Sequence, residues 1–318
     1  MVVEVKPQLD VNPNDGGVRQ LLTRYNHAKA IKDMWLPTFE ECYEFALPQR
    51  ESFYTESVGR RRSDRIFDET AVVGVQEFAS RLQAGIVPNY ARWADLVAGT
   101  EIPKEQQKEV NLNLDQVTEY VFEILQNSNF SQEVHETFLD IALGTGCLLV
   151  EEGDAVQPIR FKAIPLPQVV LDSGHDDRID HIYRKRTIRF KEILIAYPDG
   201  NLSERMIMDM EKNPDHECEV VEMVYKNYSN TKEDEHHFCV IAPMYEHKIF
   251  DQTFKGLGSN PYIVYRWSKV AGEVYGRGPL QLALPAIKTS NLVIELILEN
   301  AQMSISGMYQ VEDDGVIN

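Results

Sequence analysis

The segment that most constrains the fold of this chain is a long, mostly apolar stretch near its C-terminus, from Leu280 to Ser306. A helix over this stretch would be roughly 40 Å long, at about 1.5 Å per residue. Pro279 and Pro285 lie at its front, where proline is tolerated or kinks a helix. Gly307 follows the last residue, where a C-terminal glycine is common. The sequence therefore predicts one long helix that ends at Ser306.

Polar residues in this helix recur every three or four positions, whereas nearly all the others are apolar. A surface helix usually has one apolar stripe and a wide polar face, so this pattern is reversed. We expect a helix that is covered on most sides and wetted along one narrow strip, which we call the polar seam. The polar seam comprises Lys288, Asn291, Glu295, Glu299, Gln302 and Ser306.

Two arrangements explain this pattern. In the first, the helix is the central helix of one globular core, and its carboxylates pair with basic residues. In the second, copies of the helix pack around an axis and the polar seam faces a solvent-filled lumen, where symmetry would repeat Glu295 and Glu299 as rings. These two carboxylates also interrupt the apolar run, which we interpret as too short for a membrane span.

The charge of the chain limits its partners. Lys and Arg number 32 and Asp and Glu number 50, which gives a net charge of −18. Tight static binding to nucleic acid requires Lys and Arg to neutralise phosphates, so this balance argues against it. The same balance permits DNA to slide past without sticking.

No pattern in the chain predicts catalysis, a resident metal or a cofactor. The GTGC sequence at 144–147 lacks the Lys-Ser/Thr pair of a phosphate-binding loop, so we interpret it as a helix-to-strand turn. Four aspartates in one turn could hold a hard cation, but their spacing is not that of an EF-hand, and a solvated turn is favoured. The aspartates are Asp172, Asp176, Asp177 and Asp180.

The order of the predicted elements indicates an α+β fold. Residues 1–17 are predicted to form a flexible N-terminal arm, and residues 18–143 contain helical periodicity. From residue 144 the apolar residues alternate, so residues 144–278 are predicted to be rich in antiparallel strands. The long helix over 279–306 follows.

One dense basic patch interrupts the helical part of the chain. It lies in an irregular polar stretch, and it is either a solvated loop or a contact to nucleic acid or to an acidic neighbour, because arginines suit phosphates and carboxylates alike. The patch comprises Arg60, Arg61, Arg62 and Arg65.

Six motifs, in order, resemble the portal or head-to-tail connector proteins of short-tailed, podovirus-like bacteriophages. Each motif is weak alone, but their shared order along nearly the whole chain is fairly specific. They are LPQR (47–50), the stretch 65–88, RWADL (92–96), LGTGCLLVEEG (143–153), PLPQVVLDSG (165–174) and the stretch 260–288.

The resemblance implies a wing domain at 18–278, a stem helix at 279–306 and the start of a clip region at 307–318. Members of the family continue well beyond such a helix, so we expect the chain to stop before the second stem helix and the crown. The resemblance also implies that ring packing buries the flanks of the stem helix. The residues expected in that packing are Leu292, Leu296, Ile297 and Met303.

The resemblance further implies a function and a set of partners. The function is a non-catalytic ring, usually dodecameric, through which double-stranded DNA is packaged and ejected at a capsid vertex. The partners are other copies of the chain, the DNA in transit, terminase, capsid or scaffold protein and a tail adaptor, with no membrane and no cofactor. The location is the virion, and the host cytoplasm during assembly. The polar seam would then line the channel, with Lys288, Asn291, Glu295, Glu299 and Gln302 as its lining residues.

Two alternatives stay open at this point. A tail adaptor or another phage structural protein would also form rings, but without the long helix in the channel wall. A metal-dependent enzyme that acts on nucleic acid is suggested only by the aspartate turn and by the histidines near Cys239.

Overall fold

The computed structural model describes residues 16–50, 53, 63–174, 177–228 and 234–307. Within them the chain forms helices first, then strands with two short helices among them, and finally one long helix, which confirms the predicted α+β class. The helices are α1 (Gly16–Asp33), α2 (Leu36–Ala46), α3 (Thr70–Ile86), α4 (Lys104–Asn127), α5 (Phe130–Ile141), α6 (Phe190–Ala196), α7 (Glu204–Lys212) and α8 (Pro279–Ser306). The strands are β1 (Thr145–Glu152), β2 (Ile159–Ala163), β3 (Val169–Ser173), β4 (Ile179–Arg189), β5 (Glu217–Lys226), β6 (Glu235–Ala242), β7 (His247–Lys255) and β8 (Tyr262–Arg266).

Several sequence-based predictions fall outside the described residues. These are residues 1–15 of the expected arm, most of the basic patch, and residues 308–318, where the clip was expected to start. The members of the basic patch concerned are Arg60, Arg61 and Arg62.

Local sequence explains where the first helices begin and end. Helix α1 ends at Asp33 and α2 begins at Leu36, and Pro37 occupies the first turn of α2, where its missing N–H is not needed. At the start of α3, the carboxylate of Asp68 accepts a hydrogen bond from the backbone N–H of Thr70 at 3.0 Å. Asp68 thereby satisfies one of the free donors at that helix end.

Helix α4 departs from the prediction. Helical periodicity over residues 104–126 predicts a buried face, of which Val117, Tyr120 and Val121 are exposed. The other predicted members are partly buried; they are Val110, Leu114, Ile124 and Leu125. The described subunit instead buries Thr118 and Phe122, which lie on an adjacent side of the helix. The prediction is therefore wrong for Val117, Tyr120 and Val121 within one subunit, because the apolar arc of this helix is wider than the contact that the subunit makes with it.

Two antiparallel sheets carry the strand block. The larger sheet has the order β3-β4-β5-β6-β7, and the smaller has the order β2-β1-β8. The outer edge of β2 pairs with side chains: Asn129 exchanges two hydrogen bonds with the backbone of Phe161, at 2.7 and 3.0 Å, and Glu133 accepts one from Ala163 at 2.6 Å. Side chains from the start of α5 thus close an edge that would otherwise expose unpaired backbone groups.

A buried carboxylate joins the two sheets. Glu222 on β5 faces Arg186 at 2.8 Å and Arg184 at 3.4 Å, and it accepts hydrogen bonds from Tyr197 at 2.6 Å and from Tyr262 of β8 at 2.8 Å. Burial opposes ionisation of Glu222, but the two guanidinium groups and the hydrogen bond from Tyr197 hold its pKa below the usual range. The charge is therefore retained inside the core.

Glu222→Gln is expected to lower the free energy of unfolding at neutral pH by about 3 kcal/mol, because it leaves the charges of Arg184 and Arg186 without their buried partner. Because the pKa of Glu222 is lower in the native state than in the unfolded state, its ionised form stabilises the native state. This stabilisation is present above the unfolded-state pKa of about 4.3 and is lost as pH falls through the native-state pKa. Urea unfolding of both proteins at several pH values should show the difference shrinking in acid. The exposed Glu192→Gln change is the control, and an equal effect of the two changes would contradict this account.

Candidate functional site

Glycines anchor the base of α8. Gly276 and Gly278, just before the helix, pack directly on the backbone of the turn that joins α5 to β1. A Cβ on Gly278 would lie 2.1 Å from the carbonyl oxygen of Ala142, and a Cβ on Gly144 would lie 2.2 Å from that of Gly276. Gly144 also has φ +131°, which L side chains rarely adopt. The predicted helix-to-strand turn at 144–147 and the glycines before α8 therefore form one joint.

Backbone hydrogen bonds complete this joint. Gly278 N donates to the carbonyl of Leu143 and Leu280 N donates to that of Ala142, both at 3.0 Å. The backbone N–H of Gly276 donates to the hydroxyl of Thr145 at 2.9 Å. Two backbone donors at the start of α8 are thus satisfied by the α5–β1 turn, and these backbone contacts set the direction of the helix.

Asn291 fixes α8 a second time, three turns further along. Its Oδ1 accepts hydrogen bonds from the backbone N–H groups of Phe67 at 2.7 Å and Asp68 at 3.1 Å, and its Nδ2 donates to the carbonyl of Arg65 at 3.0 Å. The neighbouring hydroxyl of Ser290 donates to the carboxylate of Asp68. One amide therefore holds the short segment that leads into α3.

The polar seam is only partly exposed. Asn291 is 6 % exposed within the subunit. The prediction that it lines a channel is therefore wrong for this geometry, although its spacing matches the polar seam. Lys288 is half-exposed and pairs with Glu41 of α2 at 3.0 Å. The seam lies close to the side of α8 that is docked on the body of the subunit, since Leu284, Ile287 and Asn291 continue at helical spacing into Glu295 and Gln302.

Beyond Asn291, helix α8 projects from the subunit. Glu295 is partly buried, whereas Glu299, Gln302 and Ser306 are exposed, and no ion pair to either glutamate is found among the described residues. The four residues expected in subunit packing are all exposed within one subunit, at 47–60 %. They are Leu292, Leu296, Ile297 and Met303. An apolar surface of this kind on a projecting helix indicates a contact with another molecule.

By length and composition alone, α8 could also cross a membrane. It contains an 18-residue window with a mean hydropathy of 1.3, so the interpretation that its apolar run is too short for a span does not hold. One helix of this kind is weak evidence, because core helices of soluble proteins meet the same criteria.

The other candidate sites do not assemble. Asp172 lies 3.7 Å from Arg24 and Asp177 lies 3.9 Å from Lys269, while Asp180 accepts a hydrogen bond from Tyr228. In the ranges that the structure describes, no group of three His, Cys, Asp or Glu side chains could hold a metal ion, although Asp176 lies outside them. Arg65, the described member of the basic patch, pairs with Glu44 at 3.1 Å.

Comparison with known protein families shows the family to which the chain with this helix belongs. Residues 18–318 match the model of the bacteriophage head to tail connecting proteins. The chain belongs to this family. It is also 20 % identical over 279 residues to a protein of Bordetella phage BPP-1 named "Probable portal protein", a match that covers 84 % of the chain and 50 % of that relative. The chain thus spans about half the length of the curated relative that it matches.

Asn291→Ala in this connector-family chain is expected to lower the free energy of unfolding by about 3 kcal/mol, because it leaves two buried N–H groups and one carbonyl without their partner. Urea unfolding measures the change. Asn300→Ala, on an exposed part of the same helix, is the matched control and should stay within about 0.5 kcal/mol of the parent protein. An Asn291 variant as stable as the control would show that the amide does not hold α8.

Proposed function

We propose that this chain is a subunit of a ring-shaped portal that connects the phage head to the tail and forms a channel for double-stranded DNA during packaging and ejection. The observation that carries the proposal is a helix rooted rigidly at its base and exposed over its apolar second half, in a chain of the connector family. In a ring, the second half of α8 would be covered by neighbouring copies. The role is structural, and no residue is assigned to catalysis.

The proposed stem consists of residues 279–306, and the proposed wing consists of residues 18–278. The channel-lining residues of this proposal are reduced to Glu295, Glu299 and Gln302, because Asn291 is buried and Lys288 is paired. A ring would repeat the two glutamates around the axis, and their negative potential would repel phosphate and keep DNA mobile. The proposed partners are terminase, capsid or scaffold protein and a tail adaptor, at the portal vertex of the virion and in the host cytoplasm during assembly.

The mass of the assembled full-length protein tests the portal assignment. Sedimentation at micromolar concentration should give one large closed species, with twelve subunits as the expected number from the resemblance to portals. A stable monomer, with no rings in electron micrographs, would contradict the assignment. Detergent-dependent solubility of the full-length protein would instead favour a membrane role for α8.

Glu295→Lys combined with Glu299→Lys is expected to leave folding intact but to slow the movement of DNA through the channel several-fold, because rings of lysine attract phosphate. Packaged DNA per particle and the rate of its release measure the effect, which should weaken at high salt. Glu192→Lys combined with Glu204→Lys, on the exposed surface of α6 and α7, makes the same change in net charge and should have no effect. Equal behaviour of the two double variants would show that Glu295 and Glu299 do not line the channel.

A further inference from the structure

The larger sheet ends on one side at β7, whose outer edge is open. Gly256 N donates to Asp234 O at 2.8 Å, so these two residues form a hydrogen-bonded pair at the end of β6 and β7. Because such pairs alternate along antiparallel strands, the backbone groups of Asp251, Thr253 and Lys255 point away from β6. Among the described residues, no backbone hydrogen bond reaches these outward groups. An edge of this kind can accept one more strand.

Only the second half of this edge is open. Near the start of β7, Asn201 N donates to Ile249 O at 2.7 Å, and His247 Nε2 lies 2.9 Å from Asn201 O. The loop before α7 thus covers the first residues of the strand. The open part of the edge runs over residues 250–255.

The two sides of the open edge differ in polarity. Phe250 and Phe254 lie on one side of the sheet, with their rings 5.9 and 6.4 Å from that of Phe238 on β6, and both are only partly buried. Asp251 and Thr253 lie on the other side and are exposed. A strand that covers this edge should therefore be apolar on the side of the phenylalanines and polar on the other side.

Helix α1 crosses the larger sheet toward this edge. Near its end, Lys32 Nζ donates to the carbonyl oxygen of Leu166 at 2.9 Å, just before β3 at the opposite edge of the sheet. Near its start, Arg19 pairs with Glu246 at 3.0 Å, and Glu246 directly precedes β7. The chain that precedes Gly16 is therefore attached beside the start of β7. A strand that leads from the far end of β7 back to Gly16 would run antiparallel to β7.

The sequence before Gly16 alternates as a strand does. From residue 3 to residue 11 the odd positions are apolar and the even positions are polar, with Pro7 at one of the odd positions. Proline lacks an N–H group, so in an edge strand it belongs where the backbone faces away from the neighbouring strand. The apolar residues are Val3, Val5, Leu9 and Val11, and the polar residues are Glu4, Lys6, Gln8 and Asp10.

The proline and the polarity select the same pairing. If Pro7 faces away from β7, the even residues of the segment form the hydrogen-bonded pairs with Asp251 and Thr253. Directly opposite residues point to the same side of a sheet, so the odd, apolar residues then lie on the side of Phe250 and Phe254. A slip by one residue would reverse both matches.

We propose that residues 4–9 pair with β7 of the same subunit as an antiparallel sixth strand of the larger sheet. Val5 lies opposite Phe254, and Leu9 lies opposite Phe250. The added strand covers both phenylalanines and closes the edge, which prevents copies of the chain from pairing edge to edge.

Residues 10–15 are long enough to make the connection. Six extended residues span up to about 20 Å, at about 3.3 Å per residue. The stretch of β7 that they must pass, from Glu246 to Phe250, measures about 13 Å at the same rise. The inference is independent of the portal assignment, because it uses no residue of α8.

A cysteine pair tests the partner strand and the register in the full-length protein. Pro7→Cys with Gln252→Cys joins two residues that the proposal places directly opposite each other in a non-hydrogen-bonded pair. Their Cα atoms would be about 4.5 Å apart, which is within the range of a disulfide. Mild oxidation should form this bond within one subunit in most of the protein, as measured by peptide mass spectrometry and non-reducing gels. The native cysteines are buried and do not compete.

Gln8→Cys with Gln252→Cys is the matched control. The side chain at residue 8 points to the other side of the sheet in the proposed register, so the yield of disulfide should be about tenfold lower or less. Equal yields from the two pairs would indicate a loosely tethered segment. A bond between two subunits would show that a neighbouring copy supplies the strand. Either result, or no bond in either variant, would overturn the proposal.

Hydrogen exchange tests the same edge without engineered cysteines. Deletion of residues 2–11 should speed exchange of the backbone N–H groups over residues 250–255 by about tenfold or more, and exchange in the interior strand β5 should not change. Unchanged exchange in β7 would contradict the proposal, whether or not the protein forms rings. If the protein forms no rings but β7 is protected by this segment, the portal assignment fails and this inference stands.

Discussion

Leu296→Asp is expected to abolish assembly of the full-length protein while leaving each subunit folded. Within one subunit the Leu296 side chain is 47 % exposed, so the change should cost folding little. In the proposed ring a neighbouring copy covers this position, and burial of an unpaired carboxylate costs several kcal/mol at every interface. Because the cost is repeated around the ring, sedimentation at micromolar concentration should show monomers only.

Leu257→Asp is the matched control for this change. Leu257 lies in the loop between β7 and β8 and is 96 % exposed, so a carboxylate there stays in water. Rings that persist in the Leu296 variant, or that are lost equally in both variants, would show that this face of α8 does not join subunits. Circular dichroism on both variants separates loss of assembly from loss of fold.

Gly278→Ala is expected to have the largest effect on folding itself. It should lower the free energy of unfolding by about 4 kcal/mol or more, or yield no soluble protein. The added Cβ would lie 2.1 Å from Ala142 O, 2.4 Å from Leu143 C and 2.5 Å from Gly144 N. All three are backbone atoms of one turn, so no side chain can rotate away to make room. The base of α8 would have to leave the α5–β1 turn.

Gly85→Ala on α3 provides the control, because a Cβ there meets nothing within 4 Å. Alanine in a helix is favoured over glycine, so this variant should be more stable by about 0.5–1 kcal/mol. Thermal unfolding of the two variants gives opposite shifts of Tm on this account. A Gly278 variant within about 1 kcal/mol of the parent protein would contradict the close backbone contact.

The sequence predicts the length and the end of α8 correctly, but it does not predict which residues cover each side of the helix. Its length and end follow from uninterrupted periodicity and from Gly307. The same periodicity placed Asn291 in the polar seam, whereas the amide is used inside the subunit by residues more than 220 positions away. Spacing shows which residues share a face, and only the tertiary structure shows which part of that face is occupied.

The same reason explains the other differences. On α4 the apolar arc predicts a buried face, but the subunit buries Thr118 and Phe122 fully and leaves Val117, Tyr120 and Val121 exposed. The joint between Gly144 and Gly278 could not be predicted, because glycine contacts between distant segments leave no periodic signal. The helical periodicity predicted over residues 18–143 corresponds to α1 to α5, of which α3 and α5 each bury one regular face in the core.

The most direct test of the central claim is a cryo-electron microscopy map of the full-length protein at a resolution that separates helices. The account predicts a closed ring in which the second half of α8 packs against its copies around the axis, with Leu296 and Ile297 covered and with Glu299 and Gln302 facing the lumen. A monomer, or a ring in which residues 292–306 lie away from neighbouring copies, would contradict it.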